Sequence, residues 1–586
     1  MIKFNNKLFV DSISLFFIFS FIYLINKGFD FSDEGFYALN FSKDQEIGIS
    51  ITYFGLIFKR FGFSIIELRF MRLFFALTAC FVLSTGFLNL IKFKEINISN
   101  PRLVGSIINL LLLYPLFVGP KTISYNHISN YLSYIILGLI FWSVSQSNNK
   151  RSLLFFIMGA CFYFVFLSKI TTFFVVLFLI ILSSFIFIKN QLLFFKLINI
   201  VFLLLGFFIT SYFFGVYSGF SLIDISLNIF ECVSEINKIP QNVHSTNSLF
   251  LSQINIIKET LITFFICIIS LFPIIRFLNN KGTNKIKISL AFVYVTLFLL
   301  LITYFLGGYE IFKIGFSKTY FFQFFSNLYP GFIPYLLIII FFVTLLYYYL
   351  EINQFPNNIL EAAICILFSF GIIFGSDNNV FIIISTVLPS LFLGLILLSN
   401  NDFFLKNAMF LKPLFRLSFL YLLSSFSFYL YVIPYGEKIF YTLNTKNNFE
   451  NLKGIYLTKD SNDLLNKIND CLLKNDFKKN DLFLGYGYAV NGIIYSLGGN
   501  YPNSILFGAS PYLNIFKKNL NYDEIQEKEH VFVIINNNYK SKMVSFLEAL
   551  KSVDIKFDNS NLIQSIKHSS GTIYNIYKIK INQKSN

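Results

Sequence analysis

The stretch "FDFSDEGFYALNF", residues 29–41, decides how this chain is read. It follows directly on an apolar run, residues 8–25, that is long enough to cross a bilayer as a helix. Two adjacent carboxylates, Asp33 and Glu34, therefore stand a few residues beyond a membrane exit. Lys3 and Lys7 precede the run as they would in a signal peptide, but the run is long and no A-x-A-like cleavage site follows, so an uncleaved first transmembrane helix is expected. One reading of the acidic pair is a helix start, with Ser32 as N-cap and acids in the first turn. The other is a general base with a helper, held at the membrane surface. Spacing alone leaves both open.

Working outward, the whole chain has the composition of a membrane protein: 55% of the 586 residues are hydrophobic, 20% aromatic and only 13% charged. A soluble domain carries about 25% charged residues. Apolar runs of crossing length fall near 8–26, 70–91, 103–119, 129–146, 152–168, 170–188, 197–218, 256–275, 288–306, 330–350, 359–374, 380–398 and 413–433, about 13 helices. The basic segments "KFKEINISNPR", "NNKR", "RFLNNKGTNKIKI" and "LKNAMFLK" all fall on the side of the N-terminus, which the positive-inside rule makes the cytoplasm. An odd number of helices then puts Asp33, Glu34 and the polar tail outside.

The net charge of +16 is spread through these short segments and forms no single basic face, so membrane topology and anionic lipid account for it and a nucleic-acid partner is not expected. Six cysteines are scattered without C-x-x-C spacing, which indicates neither a disulfide framework nor a zinc site. Residues 43–72 carry Lys43, Lys59, Arg60, Arg69 and Arg72 outside, interleaved with Ile47, Ile51, Phe54, Ile57, Phe58 and Phe61. This segment is expected to lie along the membrane surface with its apolar face in lipid.

Two domains are expected: a transmembrane domain over 1–434, with an external juxtamembrane loop over 27–70, and an external α/β domain over 435–586. In the tail, "DLFLGYGY", "HVFVIINN" and "TIYNIYKIKI" read as strands, and "SNDLLNKINDCLLKN" and "YKSKMVSFLEALKSV" as amphipathic helices. The glycines of "GYGYAVNGIIYSLGGN", Gly485, Gly487 and Gly492, do not fit G-x-G-x-x-G and read as turns.

A first membrane helix, then "DEGFYA", then a surface segment ending in the arginines of "LRFMRLFFAL" at the second membrane helix, resembles the GT-C glycosyltransferases. Within them the chain is most similar to the protein O-mannosyltransferase and aminoarabinose transferase branch, which takes sugars from polyprenyl-phosphate donors. The close resemblance covers about the first 175 residues; beyond them it rests on many helices followed by an external domain. It implies a GT-C-like polytopic helical fold at the outer face of a bacterial inner membrane. It also implies inverting transfer to a lipid, glycan or protein acceptor, with Asp33 as the base and Glu34 as a second acid that orients a substrate or meets a divalent cation such as Mg or Mn. Tyr37 would join the substrate site, and Gly35-Phe36-Tyr37 occupies positions where relatives vary.

The leaving group of such a reaction is a phosphate, which needs cations in a poorly hydrated site. Lys121, in "GPKTISYNHISNY", is one candidate, the alternative being a snorkelling interface lysine. Tyr125, Asn126 and His127 beside it can bind sugar hydroxyls or phosphate; a single His with no partner at ligand spacing gives little reason to expect a metal. Lys169 interrupts a long apolar run in "FVFLSKITTFF", and a charge there must find water, lipid phosphate or a buried anion. Arg69 and Arg72 are further phosphate candidates, with headgroup binding as the ordinary reading. Asp377, in the turn-forming "GSDNN", is the last candidate. The rival classes are a lipid-linked sugar transporter, which calls for more charge near helix midpoints and repeat symmetry, and an oligosaccharide polymerase or ligase, which calls for a large external loop between late helices.

Overall fold

The computed structural model describes residues 6–41, 50–96, 98, 100–117, 120–187, 193–237, 358–373, 388–398, 442–479, 481–487, 489–501, 525, 528–538, 546–547, 550–551 and 555–581. These residues form a mostly helical body and a small α/β unit at the C-terminal end. The helices of the body are α1 (Asn6–Leu24), α2 (Asp33–Asn40), α3 (Ser50–Phe61), α4 (Ile65–Phe93), α5 (Pro101–Leu113), α6 (Tyr125–Val144), α7 (Asn148–Ser168), α8 (Ile170–Phe187), α9 (Leu193–Ser218), α10 (Leu222–Asn237), α11 (Ile359–Ile373) and α12 (Leu388–Leu398).

Among the described residues six helices are long and apolar enough to cross a membrane: α1, α4, α6, α7, α8 and α9. The expected spans at 256–275, 288–306, 330–350 and 413–433 lie outside the described residues, as do the first part of 380–398 and most of the helix expected at 539–553. The expected span at 103–119 is shorter than read. α5 stops at Leu113 and gives way to a 3-10 turn, Tyr114–Phe117, because Pro115 lacks the N–H that a continuing helix needs.

The outer surface of the bundle is apolar. On α4, Phe70, Phe74, Leu77 and Phe81 form an exposed stripe, while Leu68, Arg69, Arg72, Ala76, Ala79, Leu83 and Phe87 face inward. An apolar outside is what a lipid-facing helix requires. Helices approach closely where glycines remove the side chain. A Cβ on Gly138 of α6 would overlap the backbone of α4 at Val82 and Leu83, and one on Gly159 of α7 would overlap Leu203 of α9. Small residues at such crossings let packing replace the hydrophobic effect, which is absent between helices in lipid.

α4 starts at Ile65, earlier than the expected residue 70. Ser64 and Glu67 form a capping box: the Glu67 N–H donates to Ser64 Oγ at 3.4 Å and the Ser64 N–H to Glu67 Oε2 at 2.6 Å. The early start places Arg69 in the second turn of the helix, on its inner face. The surface segment is also corrected. α3 buries Ile51, Tyr53, Phe54, Leu56 and Phe58 against protein, with Phe54 edge-on to Phe164 of α7 and Phe58 against Phe41; Arg60 and Phe61 remain exposed. An amphipathic face fits a protein neighbour as well as it fits lipid, so periodicity could not separate the two.

The C-terminal unit contains the strands β1 (Thr445–Lys446), β2 (Tyr456–Leu457), β3 (Phe483–Tyr486), β4 (His530–Asn536), β5 (Leu562–Lys567) and β6 (Ile573–Lys580), and the helices α13 (Lys459–Leu473) and α14 (Val490–Leu497). The main sheet has the order β3-β4-β6-β5; β3 and β4 are parallel, and β6 runs antiparallel to both β4 and β5. The strands expected in "DLFLGYGY", "HVFVIINN" and "TIYNIYKIKI" are β3, β4 and β6, and the helix expected in "SNDLLNKINDCLLKN" is α13. β3 is buried along its whole length and β4 along nearly all of it, as strands covered on both faces are.

This unit is fastened to the body at the opening stretch. The Gly28 N–H donates to the Tyr456 carbonyl at 2.8 Å and the Tyr456 N–H to the Asn26 carbonyl at 2.8 Å, while the Lys27 ammonium stands 4.2 Å over the Tyr456 ring. Farther along, the Gly492 N–H of α14 donates to the Phe31 carbonyl at 2.9 Å, and Gly35 of α2 lies against Gly492 so closely that a Cβ on either would strike backbone. Gly492, read as a turn, is therefore a helix contact.

Candidate functional site

α2 is a two-turn helix, and its start is held by Asp30 rather than by Ser32. The Asp30 carboxylate accepts the Ser32 N–H at 3.0 Å, the Ser32 hydroxyl and the Asp33 N–H at 3.1 Å, while Ser32 makes no side-chain cap. The main chain closes the same turn: the Asp30 N–H donates to Glu34 Oε2 at 3.0 Å and the Gly35 N–H to the Asp30 carbonyl at 3.0 Å. Asp30 was not singled out from sequence. Its D-x-S-D spacing, an Asx-type cap, is the local signal that marks it.

The two adjacent acids have opposite surroundings. Glu34 is 1% exposed, with Arg69 on both oxygens: Nε to Oε1 at 3.1 Å and Nη2 to Oε2 at 2.6 Å. The Thr122 N–H adds a bond to Oε1 at 2.7 Å. Burial alone would raise its carboxyl, but the charge and hydrogen bonds of Arg69, with the charge of Lys121, hold it below the usual glutamate value. Asp33 is half-buried, and among the described residues its carboxylate accepts no hydrogen bond. Burial, then the charge of Glu34, raise its carboxyl above the usual aspartate value. For Asp30 burial is the largest influence and the charges of Asp33 and Glu34 add to it against the Ser32 hydrogen bonds, pushing it up to about 7.

The two arginines are not surface cations. Both are fully buried. Besides Glu34, Arg69 donates to the Ile25 carbonyl at 2.5 Å and the Gly28 carbonyl at 2.7 Å; Arg72 donates to the Pro115 carbonyl at 2.5 Å and to that of Pro120. The expected headgroup binding is replaced by protein acceptors, because α4 packs with this face toward the body. A sequence does not show which face of an apolar helix meets the bundle.

The remaining candidates do not all come together. Lys121 donates to the Lys27 carbonyl, the residue that also carries the Tyr456 contact. Tyr37 of α2 lies with its ring 6.4 Å from that of Tyr125, at the start of α6. Lys169, 5% exposed at the break between α7 and α8, stands 5.9 Å over the Tyr125 ring and donates to Asn126 Oδ1 at 3.2 Å and to the Ile372 carbonyl at 3.4 Å. Tyr37, Tyr125, Asn126 and Lys169 are thus linked by successive contacts that start from the helix of Asp33. His127 is turned into the α6 cap, its Nδ1 2.7 Å from Ser124 Oγ. Asp377 lies outside the described residues.

Glu34 already has Arg69 on both oxygens, and among the described residues no group of three or more His, Cys, Asp or Glu stands together to hold a metal ion. Compared with models of known protein families the chain matches none, and it matches no curated protein.

Proposed function

We propose that this chain is a membrane glycosyltransferase that moves a sugar from a polyprenyl-phosphate donor to a lipid, glycan or protein acceptor. The observation that carries the reading is the contrast between the two adjacent carboxylates. Glu34 is locked to Arg69, whereas the carboxylate of Asp33, one residue before it, accepts no hydrogen bond among the described residues and has a raised affinity for protons. A general base needs that combination: a free lone pair and a pKa lifted toward the working pH.

In the proposed reaction the acceptor hydroxyl gives its proton to Asp33 as its oxygen attacks the anomeric carbon. The bond from that carbon to the phosphate oxygen breaks on the opposite side, and polyprenyl phosphate leaves with the electron pair. Lys169, with Asn126 and Tyr125 beside it, meets the phosphate, and Lys121 adds positive charge near the acids. Arg69 and Glu34 act as a fixed frame, and no step is assigned to a metal ion.

The reading places the chain in a bacterial inner membrane with its N-terminus in the cytoplasm and α2, Lys169 and the C-terminal unit on the outer side. The test is transfer from a panel of radiolabelled polyprenyl-phosphate sugars by the purified protein in lipid, wild type beside Asp33→Asn. Turnover that vanishes in the variant supports the reading. Absence of turnover in the wild type with every donor overturns it.

A further inference from the structure

The C-terminal unit touches the opening stretch in a way that covering a site does not require. A set of its contacts falls on residues 26–35, on both sides of Asp30, and several of them are made by backbone. Tyr456 exchanges hydrogen bonds with Asn26 and Gly28, and Gly492 donates to Phe31. A Cβ on Gly492 would overlap Phe31 Cα and its carbonyl, and a Cβ on Gly35 would overlap Gly492 itself. Phe29 packs beside Tyr495 of α14, ring centroids 6.1 Å apart. The Lys27 ammonium donates to the Leu443 carbonyl at 3.2 Å, and the Lys27 carbonyl receives Lys121. The stretch that carries Asp33 and the residue that seats Lys121 are thus held by the same unit. α14 itself starts from Ala489 at φ +70°, a left-handed conformation that a non-glycine residue adopts at a cost.

We propose that the C-terminal unit is a working part of the site, in which α14, through Gly492 against Gly35 and Phe31, sets the position of the Asp33 helix. This rests on the transferase reading. Gly492 is a positioning residue: it touches no substrate and acts by fixing where the Asp33 carboxylate stands. Displacing a reacting group by about 1 Å can slow a reaction roughly 100-fold.

The experiment measures kcat and donor KM for Gly492→Ala and Gly492→Val in the full-length protein in lipid, with a melting curve for each. A second pair of substitutions, Lys27→Cys with Tyr456→Cys, is placed at the backbone bridge to fasten the unit by a disulfide. The expected result is a graded loss of kcat, about tenfold or more for Val and smaller for Ala, with donor KM within about twofold of wild type. Forming the disulfide in Gly492→Ala should restore most of the lost kcat, which a variant damaged only in stability would not show. Full kcat in both variants overturns the inference while leaving the transferase reading intact. Loss in Ala that the disulfide fails to rescue, with an unchanged melting temperature, also overturns it. If Val fails to fold, Ala and its rescue decide. A wild type that transfers nothing overturns the transferase reading and this inference with it.

Discussion

Arg69 holds Glu34 through two parallel hydrogen bonds, Nε to Oε1 at 3.1 Å and Nη2 to Oε2 at 2.6 Å, in a place where neither side chain reaches solvent. The pair ties the second turn of α4 to the first turn of α2, and the remaining donors of Arg69 draw in the chain at Ile25 and Gly28.

Breaking that pair from one side leaves a buried charge alone. Glu34→Gln and Arg69→Ala are each expected to destabilise the protein by about 3–5 kcal/mol. Arg69→Lys should recover little of this, since an ammonium cannot reproduce the fork. Thermal melting in detergent checks all three, and a Glu34→Gln protein as stable as wild type would remove the structural role assigned to the pair.

Asp33→Asn should behave in the opposite way: transfer lost, melting temperature no lower than wild type, because the carboxylate accepts no hydrogen bond among the described residues and its charge is disfavoured by burial and by Glu34. The acid limb of the kcat profile in wild type should lie above the ordinary aspartate range, with activity falling as pH falls through it, since the base must be ionised.

Asp30 makes a separate prediction about stability. Its carboxyl titrates near 3.8 in an unfolded chain and at about 7 when folded. Between those values the folded state binds more protons, so this group's contribution is full below about pH 4 and is lost as pH rises through about 7. Glu34, with its lowered value, acts in the reverse sense, and its contribution falls away in acid. Melting curves across pH 4–8 should show the decline with rising pH in wild type and a flatter course in Asp30→Asn.

Lys169→Met tests the phosphate assignment. It keeps the length of the side chain and removes its charge, so donor KM should rise about tenfold or more, as for loss of a charge-assisted bond to phosphate. A variant with unchanged donor KM would return Lys169 to a purely structural place between Asn126 and Ile372.

The close helix crossings make a prediction independent of chemistry. Gly138→Val should force α6 away from α4 and destabilise by about 1–3 kcal/mol or more, since the atoms it would strike are backbone and cannot rotate aside.

The helices α1, α6, α7, α8 and α9 were legible because apolar length is a local signal, whereas the acidic pair at the start of α2 left a helix start and a catalytic pair both open. What escaped is decided between segments. Arg69 and Arg72 read as surface cations because their acceptors, Glu34 and the carbonyls of Ile25, Gly28, Pro115 and Pro120, come from other segments. α3 read as lipid-facing because a lipid and a protein neighbour ask for the same residues. Gly492 read as a turn because its partner, Gly35, lies far away in sequence. β5 went unread because it alternates poorly, with Leu562 exposed at its start.

The bridge from Gly28 to Tyr456 also has a consequence in time. The residues that hold the acidic stretch lie about 400 positions or more beyond it, and the ribosome makes them later. At roughly 5–20 residues per second the ribosome needs on the order of a minute to reach them. Throughout that interval the Phe31 carbonyl and the Gly28 N–H lack the partners they have in the finished fold. A nascent copy therefore carries Asp33, Lys121 and Lys169 long before the backbone partners of the opening stretch exist, and a copy truncated ahead of Tyr456 lacks those partners.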